Sequence, residues 1–426
     1  MSRLLVLGSG GREHALIWSL AGEAAGHRLF CAPGNVGTAE LATNLAVDLE
    51  DHEAVMALAR EQRIDLTIVG PEGPLAAGIV DHFQAENLPI FGPRRDAARL
   101  ESSKLFAREL MAEAGIPQPA YVACHSLAEA REAALAQGLP VVLKADGLAA
   151  GKGVIICATD AELEAALERF FVGQDFGPAG LVLSVEECLV GPEMSVFAVC
   201  AGEQCAILGT AQDYKRAFEG DRGPNTGGMG SIAPAPLATP ALLQHVSRRI
   251  FRPALAALAG RGTPYTGFLY AGLMIVDGEP YLIEFNVRLG DPETQVVLPL
   301  LADPLSEIIT AALEQKLPPA LTLKPAAAVC VVLAAKGYPG DYPTGLPIGG
   351  LEQLDEEITL FHAGTVLRDG RLVSSGGRVL SLVATAADHR QAAARIYRNI
   401  TRIDMPGSRF RSDIGRETVA SAAVAN

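Results

Sequence analysis

Apolar residues in the N-terminal part of the chain fall in short runs, each closed by glycine or proline. Leu4–Leu7 leads through a glycine turn at Gly8–Gly11 into a helix-like segment over Glu13–Leu20, which opens a βα unit. Leu29–Ala32 and Leu66–Val69 run into two further turns, Pro33-Gly34-Asn35-Val36-Gly37 and Gly70-Pro71-Glu72-Gly73. Three strand ends thus deliver loops toward one edge, which is where parallel α/β sheets place ligands. Phe91-Gly92-Pro93 closes the unit. Ser102-Ser103-Lys104 then opens an N-capped helix over Leu105–Ala114 that stops at Gly115, and Ile116-Pro117-Gln118-Pro119 reads as a hinge into another lobe.

Beyond that hinge the patterning becomes that of strands. Pro140–Ala145 is an apolar strand carrying Lys144 and opening on Asp146–Val154, a glycine-rich hairpin able to close over a phosphate chain. Leu181–Leu189 and Glu193–Cys200 are strands separated by Gly191-Pro192, and Asp213–Gly230 is a long loop rich in glycine and charge. Loops of that length are functional or disordered. Phe268–Val276 is a further strand, and Tyr281–Arg288 alternates strictly, with Tyr281, Ile283, Phe285 and Val287 on one face and Leu282, Glu284, Asn286 and Arg288 on the other. A last region from Pro325 predicts strands at Ala326–Ala335, Gly364–Val373 and Leu380–Ala384 and a helix near Arg390–Ile400. It shows no catalytic constellation, and His362, Lys336 and Arg378 read as structural.

The alternating strand carries the candidate chemistry. A carboxylate and an amide side by side on one buried face need partners, and a hard cation satisfies both, so Glu284 and Asn286 read as a magnesium pair. So few protein ligands suit a metal carried by nucleotide phosphates. The hairpin after Lys144 is not a Walker A loop: Gly147 and Gly151 are too close, and Gly153 follows Lys152 where Ser or Thr is required. Its flanking lysines still favour phosphate. Gly10 and Gly11 with Arg12 suit a phosphate or a simple tight turn. Nicotinamide dinucleotides are disfavoured, because Glu13 replaces the third glycine of the fingerprint and no acid ends Leu29–Ala32.

Composition narrows the classes. A chain of 426 residues that is 49% apolar has room for two to four domains. Its 35 basic and 49 acidic side chains leave a net charge of −14, against nucleic acid or an anionic membrane as partner. The seven cysteines are scattered and never form a C-x-x-C pair, so they read as reduced core residues. With neither a signal-like start nor a long apolar run, a soluble cytoplasmic protein is the expectation.

In order along the chain, Gly10-Gly11-Arg12-Glu13-His14-Ala15, Lys144-Ala145-Asp146-Gly147 with Gly151-Lys152-Gly153, Glu186-Glu187-Cys188-Leu189, Asp213-Tyr214-Lys215-Arg216, Pro224–Gly230 and Glu284–Glu293 resemble the ATP-grasp fold and, within it, the phosphoribosylamine-glycine ligases. The resemblance runs from residue 5 to Phe410–Gly415; Leu289 stands where the family commonly has Phe, and no second metal acid lies on Phe268–Val276. It implies an N-terminal parallel α/β domain (1–103), a central two-lobed ATP-grasp domain (104–325, mobile lobe about 117–192) and a C-terminal α+β domain (326–426). It also implies ATP-driven joining of glycine to 5-phosphoribosylamine through glycyl phosphate, with Mg2+ or Mn2+ as cofactor, in a monomer or weak homo-oligomer. By the same resemblance Lys104, Lys144, Gly151, Lys152 and Gly153 meet the phosphates, Glu186, Glu187 and Leu189 the adenine and Glu193 the ribose. Glu284 and Asn286 hold the metal. Arg288, Asp213 and Lys215 serve catalysis, and Gly10, Gly11, Arg12, Glu13, Asn35, Asn225, Thr226, Gly227 and Gly290 line the substrate pocket.

Overall fold

The computed structural model describes residues 1–148, 153–173 and 175–416. The N-terminal sheet has five parallel strands in the order Thr43–Asn44, Arg28–Pro33, Arg3–Gly8, Leu66–Val69, Ile90–Phe91. The central strand Arg3–Gly8 lies between Arg28–Pro33 and Leu66–Val69, so the order reverses beside it and the turns at Gly8–Gly11, Pro33–Gly37 and Gly70–Gly73 emerge together. Strands Arg3–Gly8 and Leu66–Val69 are buried on both faces, as continuous apolar runs require. The predicted helix after the first turn begins slightly earlier, at Gly11.

Helix Lys104–Glu113 starts where expected, with Ser103 Oγ accepting from the Phe106 N–H at 3.2 Å. The chain then enters a small lobe, an antiparallel sheet in the order Tyr121–Cys124, Leu183–Glu187, Val141–Ala145, Val154–Cys157. Helices Leu127–Gln137 and Asp160–Phe171 cover it, and it buries its own apolar core around Leu143, Leu167, Phe170 and Val185. Strand Leu183–Glu187 is shorter than Leu181–Leu189, because Gly177–Leu181 closes into a 3-10 turn.

An eight-stranded antiparallel sheet is the spine of the rest. Its order is Glu279–Asn286, Thr266–Val276, Glu193–Ala201, Gln204–Asp213, Gly230–Ala233, Ala327–Ala334, Arg378–Ala386, Thr359–His362. The last three belong to the C-terminal region, which therefore prolongs the central sheet through the pairing of Gly230–Ala233 with Ala327–Ala334. Two sequence expectations change. The loop 213–230 contains a small hairpin, Arg216–Phe218 with Arg222–Asn225. The single strand expected over Gly364–Val373 is a hairpin, Thr365–Arg368 and Arg371–Ser374, turned by Asp369 and Gly370, both at positive φ. Helix His389–Asn399 packs on this end. All seven cysteines are free thiols, and five are buried. No helix among the described residues is long and apolar enough to cross a membrane.

Candidate active site

A cleft of about 400 Å³ opens between the small lobe, the edge of the large sheet and the N-terminal turns. Its floor is strand Glu279–Asn286, and here the strict alternation fails. Leu282 pairs with Leu273 and Glu284 with Gly272, so Ile283 is an extra residue, a bulge. Leu282 therefore faces the core with Phe285 and Val287, while Ile283, Glu284 and Asn286 line the cleft. Leu289 is buried among apolar neighbours, as a Phe-like position should be.

Glu284 has no hydrogen bond or ion pair among the described residues, and Asn286 Oδ1 accepts only a long bond of 3.4 Å from Arg288 Nη2. Two hard oxygen donors thus stand side by side with spare capacity. Arg288 itself is engaged: Nη2 lies 2.7 Å from Glu101 Oε1 and Nε lies 3.2 Å from Glu72 Oε2. Burial lowers its pKa, but Glu101 and Glu72 outweigh that and hold it above the ordinary value. Neither acid was foreseen as its partner, since each is brought to Arg288 from the N-terminal third of the chain.

Lys144, expected at the phosphates, and Glu186, expected beside the adenine, meet each other through their side chains. Lys144 Nζ lies 2.8 Å from Glu186 Oε2, and Arg108 holds the same carboxylate at 2.8 Å through Nε and 2.5 Å through Nη2. Burial pushes the Glu186 carboxyl up, yet Lys144 and Arg108 together keep it below the usual carboxylate range. Lys104 Nζ, one helical turn before Arg108, donates to the Gly147 carbonyl at 3.1 Å. Gly153 lines the cleft as well; Gly151 and Lys152 lie outside the described residues.

Asp213 and Lys215 flank the far side. Lys215 Nζ is 2.6 Å from Glu193 Oε2 and 3.7 Å from Asp213 Oδ2, so Glu193, expected at a ribose, is an ion-pair partner here. Asp213 Oδ1 is buried with no hydrogen-bond partner among the described residues. Burial first, and then the neighbouring Glu293 carboxylate, push Asp213 up to about 8. Glu293 is likewise raised, mainly by burial, and a Cβ at Gly290 would fall on its carboxylate. Thr226 Oγ1 donates to the Lys215 carbonyl at 2.8 Å, and the Gly227 N–H donates to the Tyr338 hydroxyl at 2.9 Å. Arg378, read from sequence as structural, lines the cleft: Nη1 bonds the carbonyls of Gly227 and Asp291, and Nη2 lies 3.5 Å from Asp291 Oδ1.

The N-terminal turn is satisfied from within. The Gly10 N–H donates to Glu13 Oε2 at 2.7 Å, and the Arg12 N–H faces Asp291 Oδ2 at 3.4 Å, so protein carboxylates take the place foreseen for a phosphate at this helix start. Asn35 is buried glue, its Nδ2 donating to the carbonyls of Ser9 and His362 at 2.8 Å each. Of this group only Arg12 lines the cleft. Gly10, Gly11, Glu13, Asn35, Glu187, Leu189, Glu193 and Asn225 do not.

The Phosphoribosylglycinamide synthetase family models match residues 2–101 (N domain), 102–294 (ATP-grasp domain) and 328–417 (C domain). A phosphoribosylamine–glycine ligase of Mesorhizobium japonicum is 47% identical over 419 residues, 98% of either chain. The chain belongs to the phosphoribosylamine–glycine ligase family. The ligase of Halalkalibacterium halodurans is 45% identical over 423 residues, 99% of each chain. Among solved structures, the ligase of Thermotoga maritima superposes with a TM-score of 0.85 at 35% identity, covering 96% of this chain and 99% of that one. A Campylobacter jejuni biotin carboxylase shares the fold alone, with a TM-score of 0.72 at 18% identity over 97% of this chain and 94% of its own. Arg108, Glu72, Glu101 and Arg378 are the cleft residues that sequence reading missed. Arg108 alone left a trace, one helical turn after Lys104 on the same face.

Proposed function

We propose that the chain uses ATP to join glycine to 5-phosphoribosylamine, giving glycinamide ribonucleotide, ADP and phosphate, an early step of purine synthesis. The observation that carries this reading is that Lys104, Lys144, Glu284, Asn286 and the acid pair Asp213 and Glu293 line one cleft. A carboxylate is a poor electrophile. Phosphorylating glycine's carboxylate with the γ-phosphoryl group of ATP gives glycyl phosphate, and attack by the sugar's amine expels phosphate and forms the amide. Water has to be excluded meanwhile, which closure of the small lobe over the cleft would achieve.

Lys104 and Lys144 neutralise the nucleotide phosphates, joined by Lys152, which lies outside the described residues. Glu284 and Asn286 fit a magnesium or manganese ion, as hard oxygen donors with spare capacity on one face. When bound there, the ion steadies negative charge on the transferring phosphate. Asp213 and Glu293 suit an ammonium or amine, which supplies the donor that Asp213 Oδ1 lacks and relieves the repulsion between the two acids. Arg288 reaches a substrate carboxylate by exchanging Glu72, the longer of its two carboxylate contacts. Thr226 and Gly227 border the amine partner, whose phosphoribosyl end points toward Arg12.

The test supplies Mg-ATP, glycine and fresh phosphoribosylamine and follows ADP and the amide product; omitting glycine abolishes both. Glu284→Gln keeps the melting temperature and lowers kcat by roughly 10²-fold or more, as loss of transition-state charge stabilisation does. An unchanged rate at saturating Mg2+ would take Glu284 out of the metal site.

A further inference from the structure

Arg108 has no part in the function proposed above, yet it sits at the junction of everything that borders the nucleotide cleft. It projects from helix Lys104–Glu113 and is 2% exposed, against 1% for Glu186 and 4% for Lys144. Besides gripping both oxygens of Glu186, it donates through Nη1 to the Leu282 carbonyl at 3.1 Å and through Nη2 to the Ile283 carbonyl at 2.8 Å. Those carbonyls flank the bulge that turns Glu284 toward the cleft. Lys144 Nζ reaches the same Ile283 carbonyl at 3.2 Å. Ser184 Oγ completes the shell of Glu186 at 3.0 Å from Oε1.

The charges in this cluster do not balance. Two cations, Arg108 and Lys144, share one anion, and all three side chains are withdrawn from water. The bidentate guanidinium is the better partner for a carboxylate, while an ammonium is a mobile point charge. Lys144 is therefore the surplus cation. Were Arg108 absent, the buried carboxylate would have Lys144 as its remaining counter-ion, and pulling that lysine away would strand an unpaired charge.

We propose that Arg108 is a positioning residue for nucleotide binding: by neutralising Glu186 on its own, it frees the Lys144 ammonium to leave that carboxylate for a nucleotide phosphate. The carboxylate then stays behind as part of the hinge between the small lobe and the cleft floor. This rests on the reading of Lys144 as a phosphate ligand, and the two ideas fail separately.

MgADP affinity by isothermal titration calorimetry, with KM for ATP and for glycine, makes the test. Lys144→Met weakens MgADP by about tenfold or more, the worth of one charge-assisted contact. Arg108→Met weakens it to a similar extent and raises KM for ATP while KM for glycine holds, because Glu186 now keeps the lysine. Adding Glu186→Gln to Arg108→Met brings affinity back to within about threefold of wild type, since no anion is left to hold Lys144. A side chain that served only as scaffold would leave the double variant no better than the single one, and that result overturns the proposal. Should Arg108→Met fail to fold, Glu186→Gln alone decides: affinity equal to or above wild type supports the release of Lys144, and a clear loss refutes it. Normal MgADP binding by Lys144→Met would instead sink the phosphate role of Lys144, whatever Arg108 does.

Discussion

Asp213 shows most plainly how surroundings set a side chain's chemistry. Its ordinary pKa is 3.8, and in the fold it keeps its proton to about 8, because burial and the Glu293 and Glu193 carboxylates outweigh Lys215 and Arg378. Between those values the native state binds more protons than the unfolded chain, so stability declines as pH rises through that window and is level above it. Asp213→Asn cannot ionise. From about pH 5 to about pH 8 its melting temperature should therefore fall less than that of the wild type, by scanning calorimetry; parallel curves would show that Asp213 is ionised throughout. At this scale the meeting of Glu284, Asn286 and Lys144 at one cleft was legible from residue type and local pattern, while Lys104 came only through the family resemblance. The partners of Glu186 and Arg378 were not legible, because Arg108 and Asp291 lie 78 and 87 residues from them along the chain.

Elements were foreseen where one segment's own pattern decides them. The cap within Ser102–Lys104, the stop at Gly115 and the strands expected over Phe268–Val276 and Leu380–Ala384, found over Thr266–Val276 and Arg378–Ala386, all rest on local propensity and period. The bulge at Ile283 was not foreseen, because an alternating sequence cannot reveal that its neighbour strand runs one residue short. Strand Gly230–Ala233 is the narrowest join in the large sheet. A Cβ on Gly230 would stand 2.2 Å from the Cys330 carbonyl oxygen, a backbone atom with little room to yield. Gly230→Ala should cost about 2 kcal/mol or more by forcing these strands apart, read from denaturant unfolding. A loss well under 1 kcal/mol would mean that the pair opens easily.

Across the whole molecule, the C-terminal region reaches back to the first helix. The His362 N–H donates to His14 Nδ1 at 2.9 Å, the His362 carbonyl accepts from Asn35, and Phe361 meets the edges of His14 and Trp18. Burial drives His14 down to about 3 and His362 down to about 4. Both stay neutral in the fold while an unfolded chain protonates them near 6.5, so the stability they contribute is complete above that pH and is lost as pH falls through the interval. His14→Asn retains an acceptor for the His362 N–H but takes up no proton. Its melting temperature should drop less than that of the wild type from about pH 7 to about pH 4. Equal drops would place the acid-sensitive joint elsewhere.

By itself the sequence determined the elements, their division into a parallel α/β start, a two-lobed centre and an α+β end, and the pair of oxygen donors facing a set of lysines. The elements and the oxygen donors follow from residue type and short-range period, which a single segment carries within itself, and the division into domains came through the family resemblance. Tertiary structure alone decided that Glu186 is held by Arg108 and Lys144, that Asp291 and Glu13 occupy the first helix start, and that Arg378 crosses from the last region into the cleft. Those outcomes depend on which charges burial brings together from distant segments, and a buried charge takes whatever counter-ion the packing places within reach.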